Sequence, residues 1–413
     1  MSYLQDYASL QNTLNPNTDQ SDVSGYDITL RRLEFNSVAR DVLPGAASYR
    51  CSCHSRRFEG WWPSQDNAMF WPTDGSLHMP DCDVESNSRF QCTLMEPKQH
   101  AARGVIILLH GLNEKRWEKY LPWALRLVQL TGKAVLLFPI AFHMDRTPAA
   151  WSDPRRMAKV CAERRAAFPS IVGSSLANAA MSSRLQMLPQ RFFWSGLQTY
   201  EEIVGFIREL RAGAVQGLPA DITIDFFAYS IGAFLSEILL MADEDGLFSA
   251  SRLFLFCGGP TLDRMYPTSR YILDSEATIA LYSFFNEHLE NEFNRDPRMA
   301  HYFKDEHPAG PAFRSMLSYH KLHAEREKRF RELAPRIRVT ALRKDSVIPP
   351  GEILNTLQGS YRDIPVPVDV LDFPYEYSHV QPFPANASLE SEVDAAFSSV
   401  MNLAAGHLGQ RAE

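Results

Sequence analysis

The sequence lacks long apolar runs and any strong excess of one charge. No run of about eighteen apolar residues occurs in its 413 residues, which predicts that no helix spans a membrane. The first residues, Met1–Tyr7, form neither a basic stretch nor an apolar one, so we expect no signal peptide. The net charge of −7 gives no indication of the basic face that nucleic-acid binders present. These absences favour a cytoplasmic protein that does not bind nucleic acid, and they leave its oligomeric state open.

Cysteine is also scarce, with six residues scattered over the chain. In a chain of this length without an export signal, reduced thiols are the default. Cys51, Cys53 and His54 are close enough in sequence to suggest a zinc site. However, the alternating pattern over residues 49–54 is typical of a strand, and no matching second pair of ligands follows. We therefore expect neither a metal nor an organic cofactor.

What the sequence does contain is the composition of an ordinary globular protein. Hydrophobic residues make up 45% and charged residues 22%, and the chain is long enough to bury a large core. From Gly104 onward, apolar runs typical of buried strands alternate with segments at helical spacing, which predicts a parallel sheet with right-handed crossovers. The predicted strands of this part cover residues 105–109, 134–140, 222–229, 252–257, 337–342 and 366–373, and a helix over 389–403 follows them.

Three regions lie outside this alternation. Residues 1–87 are expected to form an extension that starts as a peripheral arm and includes an edge strand over 48–54, near an antiparallel strand over 89–95. Residues 142–196 are too long for a plain connection, and long excursions of this kind commonly line functional sites. Residues 261–335 are rich in Tyr and Phe, and prolines divide them into short helices. In both segments, packing of the aromatic side chains onto the body of the protein is the simpler interpretation.

The segment from Ile222 to Leu235 carries the strongest chemical signal. It begins with residues typical of a buried strand and ends with residues typical of a helix, and Ser230 lies between the two. Ala228 and Gly232 are small, as a sharp turn from strand to helix requires, because a larger side chain would clash with neighbouring backbone. Such a turn holds a strained serine with its hydroxyl exposed at the end of the strand. Alternatively, the serine could simply cap the helix that follows.

Two further functional groups follow later predicted strands. Asp345 comes three residues after the strand over 337–342, and His379 comes six residues after the last strand. Because the carboxyl ends of parallel strands meet at one edge of a sheet, a serine, an acid and a histidine in this order indicate a nucleophilic site. Asp345 could also be an ordinary turn residue and His379 an ordinary loop histidine. Asp263 and Asp372 are the competing acids.

These motifs resemble those of the α/β-hydrolase superfamily. The resemblance covers residues 88–260 and 336–405 and implies a mostly parallel central sheet flanked by helices. It implies that residues 261–335 occupy the position of a helical cap, beside a lid-like excursion at 142–196. The sequence departs from the family pattern at Ala228, where glycine is usual. The matching segments are Leu109-His110-Gly111, Ala228-Tyr229-Ser230-Ile231-Gly232, Asp345-Ser346-Val347-Ile348-Pro349 and His379-Val380-Gln381-Pro382-Phe383.

The resemblance implies a Ser-His-Asp triad with these residues in defined roles. Ser230 is the expected nucleophile and His379 the expected base, which later protonates the leaving group. Asp345 is the expected carboxylate that fixes the tautomer of the histidine and stabilises its charged form. An oxyanion hole needs two N–H donors. The amide of Ile231, at the start of a helix, is one candidate, and the resemblance implies that the amide of Leu112 is the other.

Simpler roles are expected for the other polar residues near these motifs. His110 is expected to hold the oxyanion loop in place rather than transfer protons. Asn113 and Glu114 could contact substrate, but the simpler expectation is that they cap the helix that begins near residue 117. The histidines of the 261–335 segment are expected on helix surfaces, although one of them could contact substrate: His288, His301, His307, His320 and His323.

The sequence therefore predicts a serine hydrolase that cleaves an ester, or less readily a thioester or amide, through an acyl-serine intermediate. The aromatic residues of the 261–335 segment suggest a small-molecule substrate with an apolar or aromatic part. The same serine and histidine could serve an acyltransferase or a lyase. A binding protein of the same fold without catalytic activity is the alternative from another functional class.

Overall fold

The computed structural model describes residues 2–11, 13–14, 18–37, 42–51, 54–60, 70–304 and 306–410. Within them, nine strands form one sheet and two short strands form a separate antiparallel pair. The strands, numbered in chain order, are β1 (Gln20–Asp22), β2 (Ile28–Asn36), β3 (Ser48–Arg50), β4 (Arg57–Glu59), β5 (Arg89–Pro97), β6 (Val105–Leu109), β7 (Ala134–Leu137), β8 (Ile224–Tyr229), β9 (Leu253–Phe256), β10 (Ile337–Leu342) and β11 (Val368–Leu371).

The main sheet has the order β1-β2-β5-β7-β6-β8-β9-β10-β11. Neighbouring strands in the part β7-β6-β8-β9-β10-β11 pair in parallel. Strands β1, β2 and β5 add antiparallel pairs at one edge. The chain passes from β5 to β6 and then returns to fill the place between them with β7. Strand β8 then pairs with the other edge of β6. Strands β9, β10 and β11 follow in turn, each beside the one before it. This is the strand order of the α/β-hydrolase fold, and the predicted fold class is confirmed.

The sheet is covered on both faces, as its apolar strands predicted. All five residues of β6 are fully buried. Ile107 belongs to a core that includes Phe226 on one face, and its neighbour Ile106 belongs to a second core that includes Phe227 on the other. Successive side chains of a strand point to opposite faces. An uninterrupted apolar run is therefore what a strand between two helical layers needs.

The helices on the two faces come from different parts of the chain. Helices α1, α3 and α14 pack together on one face, while α6 and α7 lie against the other core. The α-helices of the described residues are α1 (Tyr3–Leu10), α2 (Glu85–Ser88), α3 (Leu121–Thr131), α4 (Pro154–Ala167), α5 (Ala179–Met187), α6 (Arg191–Arg211), α7 (Ile231–Ala242), α8 (Ser275–Ser283), α9 (Leu289–Arg295), α10 (Pro297–Tyr302), α11 (Ala309–Ser315), α12 (His323–Leu333), α13 (Pro350–Leu357) and α14 (Glu390–Leu408).

The N-terminal region is not the peripheral arm that the sequence suggested. Strand β2 pairs over its whole length with β5 and so belongs to the main sheet. Tyr3 and Leu10 of α1 are buried in the core that α3 and α14 form. The predicted strand over residues 48–54 is also shorter than expected, because β3 ends at Arg50 and pairs with β4 outside the main sheet.

Most other predicted boundaries differ by a few residues. The strand over 337–342 has the predicted limits, whereas β11 covers only Val368–Leu371. The last helix continues to Leu408, whose side chain is fully buried, so the predicted fraying after Ala404 is wrong. None of the described helices is both long and apolar enough to cross a membrane.

The two long excursions contact each other above the sheet. Arg164 of α4 and Asp274, which precedes α8, form an ion pair with both side chains fully buried. The Asn178 side chain donates hydrogen bonds of 2.8 Å to the carbonyl oxygens of Gly173 and Ser269. Polar contacts thus join the 142–196 segment to the helical insertion over 261–335. The division of the chain into extension, core and cap stays a prediction.

Candidate active site

Ser230 occupies the sharp turn between β8 and α7. Its φ of 57° and ψ of −119° lie outside the regions that non-glycine residues usually adopt. A Cβ atom on Gly232 would come within 2.7 Å of the Leu109 carbonyl oxygen, and the Gly232 amide donates to the His110 carbonyl at 3.1 Å. Close backbone packing therefore requires glycine at this position. The Ser230 side chain makes no capping hydrogen bond to α7, so the capping alternative is wrong.

The structure brings Ser230, His379 and Asp345 into one hydrogen-bonded line. The Nε2 atom of His379 lies 2.7 Å from the Ser230 hydroxyl, and its Nδ1 atom lies 2.7 Å from Oδ2 of Asp345. The other carboxylate oxygen accepts hydrogen bonds of 2.9 Å from the amides of Val347 and Ile348. All three side chains are buried. The arrangement can pass the hydroxyl proton to an imidazole that a carboxylate orients.

Tyr229 contacts both the backbone and the ring of His379, a role that the sequence did not predict. Its hydroxyl donates a hydrogen bond to the carbonyl oxygen of His379. The two rings are stacked, with centroids 5.3 Å apart and an angle of 17° between their planes. Burial raises the pKa of the Tyr229 hydroxyl well above its ordinary value, which keeps it a donor. The residue before Ser230 therefore fixes the loop that carries His379.

The competing acids make other contacts. Asp263 accepts hydrogen bonds from the Thr261 hydroxyl at 2.7 Å and from the Tyr319 amide at 3.0 Å. Asp372 accepts one from the Tyr377 hydroxyl at 2.9 Å. Of the three candidate acids, Asp345 is the one in contact with the His379 ring.

His110 supports the loop after β6. Its Nε2 atom accepts a hydrogen bond of 2.9 Å from the Ile140 amide, and Nδ1 donates at 2.9 Å to the Gly111 carbonyl. These contacts require a neutral ring, and burial lowers the pKa of His110 well below its ordinary value. The role expected for His110, holding this loop in place, agrees with these contacts. In the described part of the chain, neither the Leu112 amide nor the Ile231 amide donates a hydrogen bond.

Asn113 and Glu114 do not cap a helix. Helix α3 begins at Leu121, and no side chain caps it. The Asn113 amide group donates to the carbonyl oxygens of Ala177 at 3.0 Å and Tyr271 at 2.7 Å, so it connects the loop to both excursions. Glu114 instead forms an ion pair with the Lys119 ammonium group. The capping interpretation is therefore wrong for both residues.

An apolar cavity adjoins the two candidate oxyanion residues. Leu112 and Ile231 both line it, together with aromatic side chains from α6, α7 and the helical insertion: Phe192, Phe193, Tyr200, Phe234 and Phe313. A second cavity shares Leu112, His143, Phe192 and Ser195 with it.

His143 is the polar exception in the wall that these cavities share. Its Nδ1 atom lies 2.9 Å from the Ala141 carbonyl oxygen, so that nitrogen carries the proton. Its Nε2 atom is buried and has no partner among the described residues. Burial lowers the pKa of the ring to about 4. A neutral His143 therefore holds a buried acceptor without a partner among the described residues, at a residue that lines both cavities, and the sequence did not indicate this feature.

Two of the histidines expected on helix surfaces are buried instead. His301 and His307 lie beside Cys51 and His54, and the four side chains form a group that could hold a metal ion. By contrast, His288 is largely exposed, as expected. Cys53, the other residue of the proposed zinc motif, lies outside the described residues.

Comparison with known proteins connects the chain to a family and to several esterase structures. The model of DUF6051, a family of unknown function, matches residues 1–409. No curated protein sequence matches the chain. A carboxyl esterase from the mycorrhizal fungus Tuber melanosporum shares 12% identity over 78% of this chain and 82% of its own, with a TM-score of 0.43.

Two further esterase structures are similar at the same level. A cold-adapted esterase from an Arctic intertidal metagenomic library shares 9% identity over 96% of this chain and all of its own, with a TM-score of 0.36. A thermostable esterase from Pseudomonas putida shares 11% identity over 78% of this chain and 80% of its own, with a TM-score of 0.36. Identities and TM-scores this low say nothing about the substrate of this chain.

Proposed function

The chain belongs to DUF6051, a family of unknown function, so its activity must be inferred from the site, and we propose that it is a serine ester hydrolase. The observation that carries this proposal is the hydrogen-bonded line from the Ser230 hydroxyl through His379 to Asp345, at 2.7 Å for each contact. Contacts of this length within a buried site are what nucleophilic catalysis by serine requires.

In the proposed reaction, the Ser230 oxygen attacks the carbonyl carbon of an ester while its proton passes to Nε2 of His379. The same proton then moves to the oxygen of the leaving alcohol, which leaves an acyl-serine. Water attacks this intermediate and gives a proton to His379, which passes it to the Ser230 oxygen as the acid is released. Asp345 stabilises the imidazolium that forms in each half of the reaction. The balance is one ester and one water to one acid and one alcohol.

The amides of Leu112 and Ile231 are the proposed donors to the oxyanion. Ile231 is the first residue of α7, where N–H groups lack partners within the helix. Leu112 follows the loop that His110 holds in place. Loss of one such donor typically lowers turnover by about 10²–10³. Their position in the wall of the apolar cavity supports a substrate that enters there.

The lining of the cavity supports an ester with an apolar acyl or alcohol part. Phe192, Phe234 and Phe313 would contact that part. The Nε2 acceptor of His143 would bind a hydroxyl or N–H group on the substrate, because a buried polar atom gains from a partner. We therefore propose a mainly apolar substrate with one hydrogen-bond donor near the reacting carbonyl.

Covalent labelling with a fluorophosphonate tests the nucleophile. The folded wild-type protein is expected to be labelled, and Ser230→Ala is expected to abolish labelling. Ser195→Ala is a matched control, because Ser195 also lines the cavity but donates its hydroxyl to the Phe192 carbonyl. An unlabelled but folded wild type would leave a non-catalytic binding protein as the better interpretation. Labelling that survives Ser230→Ala would mean that another residue is the nucleophile.

A series of p-nitrophenyl esters tests which cavity receives the acyl chain. Gly196 lines the apolar cavity, and nothing lies within 4 Å of the position its Cβ would take. Gly196→Leu would therefore fill space needed by a long chain. Displacing about three methylene groups costs about 2.4 kcal/mol, roughly 60-fold in kcat/KM. Gly205→Leu is the control, because Gly205 lies on the same helix outside this cavity and is equally unobstructed. Equal loss for acetyl and octanoyl esters would contradict the assignment.

A further inference from the structure

Cys51, His54, His301 and His307 come together from two distant parts of the chain. Cys51 follows β3, and His54 lies in the turn that leads to β4. His301 lies in α10 of the helical insertion, and His307 lies in the connection between α10 and α11. One potential ligand atom from each residue lies within 4.8 Å of all the others. Three of the four side chains are buried, while His54 is exposed.

We propose that a zinc ion binds at this place, coordinated by four side chains: Cys51, His54, His301 and His307. A thiolate and neutral imidazoles are ligands that zinc prefers, and four protein ligands make a closed tetrahedral site of the structural kind. Because such a site leaves no open position for a substrate, its role would be to join the β3–β4 region to the helical insertion.

Two of the distances between donor atoms match those of tetrahedral zinc, and a third is shorter. Bonds of about 2.3 Å to sulfur and about 2.0–2.1 Å to nitrogen put the sulfur about 3.6 Å from each nitrogen. The Cys51 sulfur lies 3.6 Å from Nδ1 of His54 and 3.5 Å from Nε2 of His307. The Nε2 atoms of His301 and His307 are 2.8 Å apart, and the ion would separate them to about 3.3 Å.

The imidazole rings of the site pack at nearly right angles to one another. The His54 ring is nearly perpendicular to that of His301, at 87°, and the His301 ring to that of His307, at 88°. Such angles are compatible with a tetrahedral set of ligands, and the observation that groups the donor atoms is that all four lie within 4.8 Å of one another.

A carboxylate supports the site from outside. Oε2 of Glu306 lies 3.3 Å from Nδ1 of His301, the nitrogen that does not face the other ligands. Metal-bound histidines usually donate their second N–H to such a group, which fixes the tautomer and strengthens the ligand. Arg56 in turn lies 3.7 Å from Glu306, on the solvent side. The thiolate and this carboxylate offset the two charges of a zinc ion, and the Arg56 guanidinium beside the carboxylate leaves one positive charge at the site.

Metal analysis of the tag-free, full-length protein tests the proposal. Protein from zinc-supplemented medium is expected to contain about one zinc per chain, and its cobalt-substituted form is expected to show a thiolate-to-cobalt charge-transfer band. Cys51→Ser is expected to lose the band, and His301→Ala to lose the zinc. His288→Ala is the control, because it lies in the same insertion and is exposed. It should retain both signals.

Each contrary result has a clear meaning. A folded wild type that contains no zinc, and that takes up neither zinc nor cobalt after dialysis, would overturn the proposal. So would full retention of zinc in folded His301→Ala, a cobalt band that survives Cys51→Ser, or copper in place of zinc at one per chain. If the variants fail to fold, the wild-type measurements still decide. The readout is bound metal rather than hydrolysis, so the outcome is independent of the proposed function.

Discussion

The ion pair between Arg164 and Asp274 gives the sharpest test of how the two excursions are held together. Its two hydrogen bonds, from Nε and Nη2 of the arginine to the two carboxylate oxygens, measure 2.7 Å each, and neither side chain is exposed. Asp274 also caps α8 by accepting from the Ala277 amide at 3.0 Å. Asp274→Asn keeps the shape and the cap acceptor but removes the charge.

We expect Asp274→Asn to lower the free energy of unfolding by about 3–5 kcal/mol, because it leaves the buried Arg164 guanidinium without its counterion. The measurement is urea unfolding of the purified protein at neutral pH. Asp363→Asn is the matched control, since the Arg331–Asp363 pair has a similar distance, 2.9 Å, but side chains that are 44% and 51% exposed. Exposed pairs contribute about 0–1 kcal/mol.

The double variant Arg164→Met/Asp274→Asn separates the cost of an unpaired charge from the loss of the pair. With no charge left to bury, the double variant should be more stable than Asp274→Asn alone. The reasoning is refuted if Asp274→Asn costs no more than Asp363→Asn, or if removing the arginine lowers the stability further.

Three more variants test other contacts. Asp345→Asn should lower kcat about 10⁴-fold, because its NH₂ group would face Nδ1 of His379 and favour the wrong tautomer; unchanged steady-state ester hydrolysis would contradict this. Gly232→Ala should destabilise the protein by about 1–3 kcal/mol through contact with the Leu109 backbone, whereas thermal unfolding of Gly205→Ala should show no loss. Burial raises the pKa of Glu237 well above its ordinary value of 4.5. Between these two pKa values, the carboxyl group is neutral in the folded protein and ionised in the unfolded chain. Wild-type stability should therefore fall relative to Glu237→Gln as pH rises above about 4.5, and parallel urea-unfolding curves would refute that sign.

The sequence was sufficient to predict the parallel part of the sheet and the hydrogen-bonded line of Ser230, His379 and Asp345. Strand β6 is apolar at every position because both of its faces are covered, and β8 differs from this pattern only at Asp225, so the pattern is visible locally. Ser230, Asp345 and His379 follow such strands directly. Their approach to one another is then a consequence of the parallel topology, which brings the strand ends to one edge.

The antiparallel edge was harder to predict. Strand β2 contains Arg31, Arg32 and Glu34, and its mixed pattern resembles an amphipathic segment more than a buried strand. It is a strand because β5 offers nine backbone partners, and because Arg31 pairs with Glu96 across the two strands at 2.9 Å. These are interactions between distant segments, which a local pattern does not contain.

The sequence by itself thus determined the fold class, the turn at Ser230 and the order of the groups that meet there, because each depends on residues close together in the chain. Tertiary structure alone decided the unpaired His143 acceptor in the cavity wall and the meeting of Cys51 with His301, which is 250 positions away. Burial and convergence of such groups depend on how separate segments pack. No spacing within either segment specifies that packing.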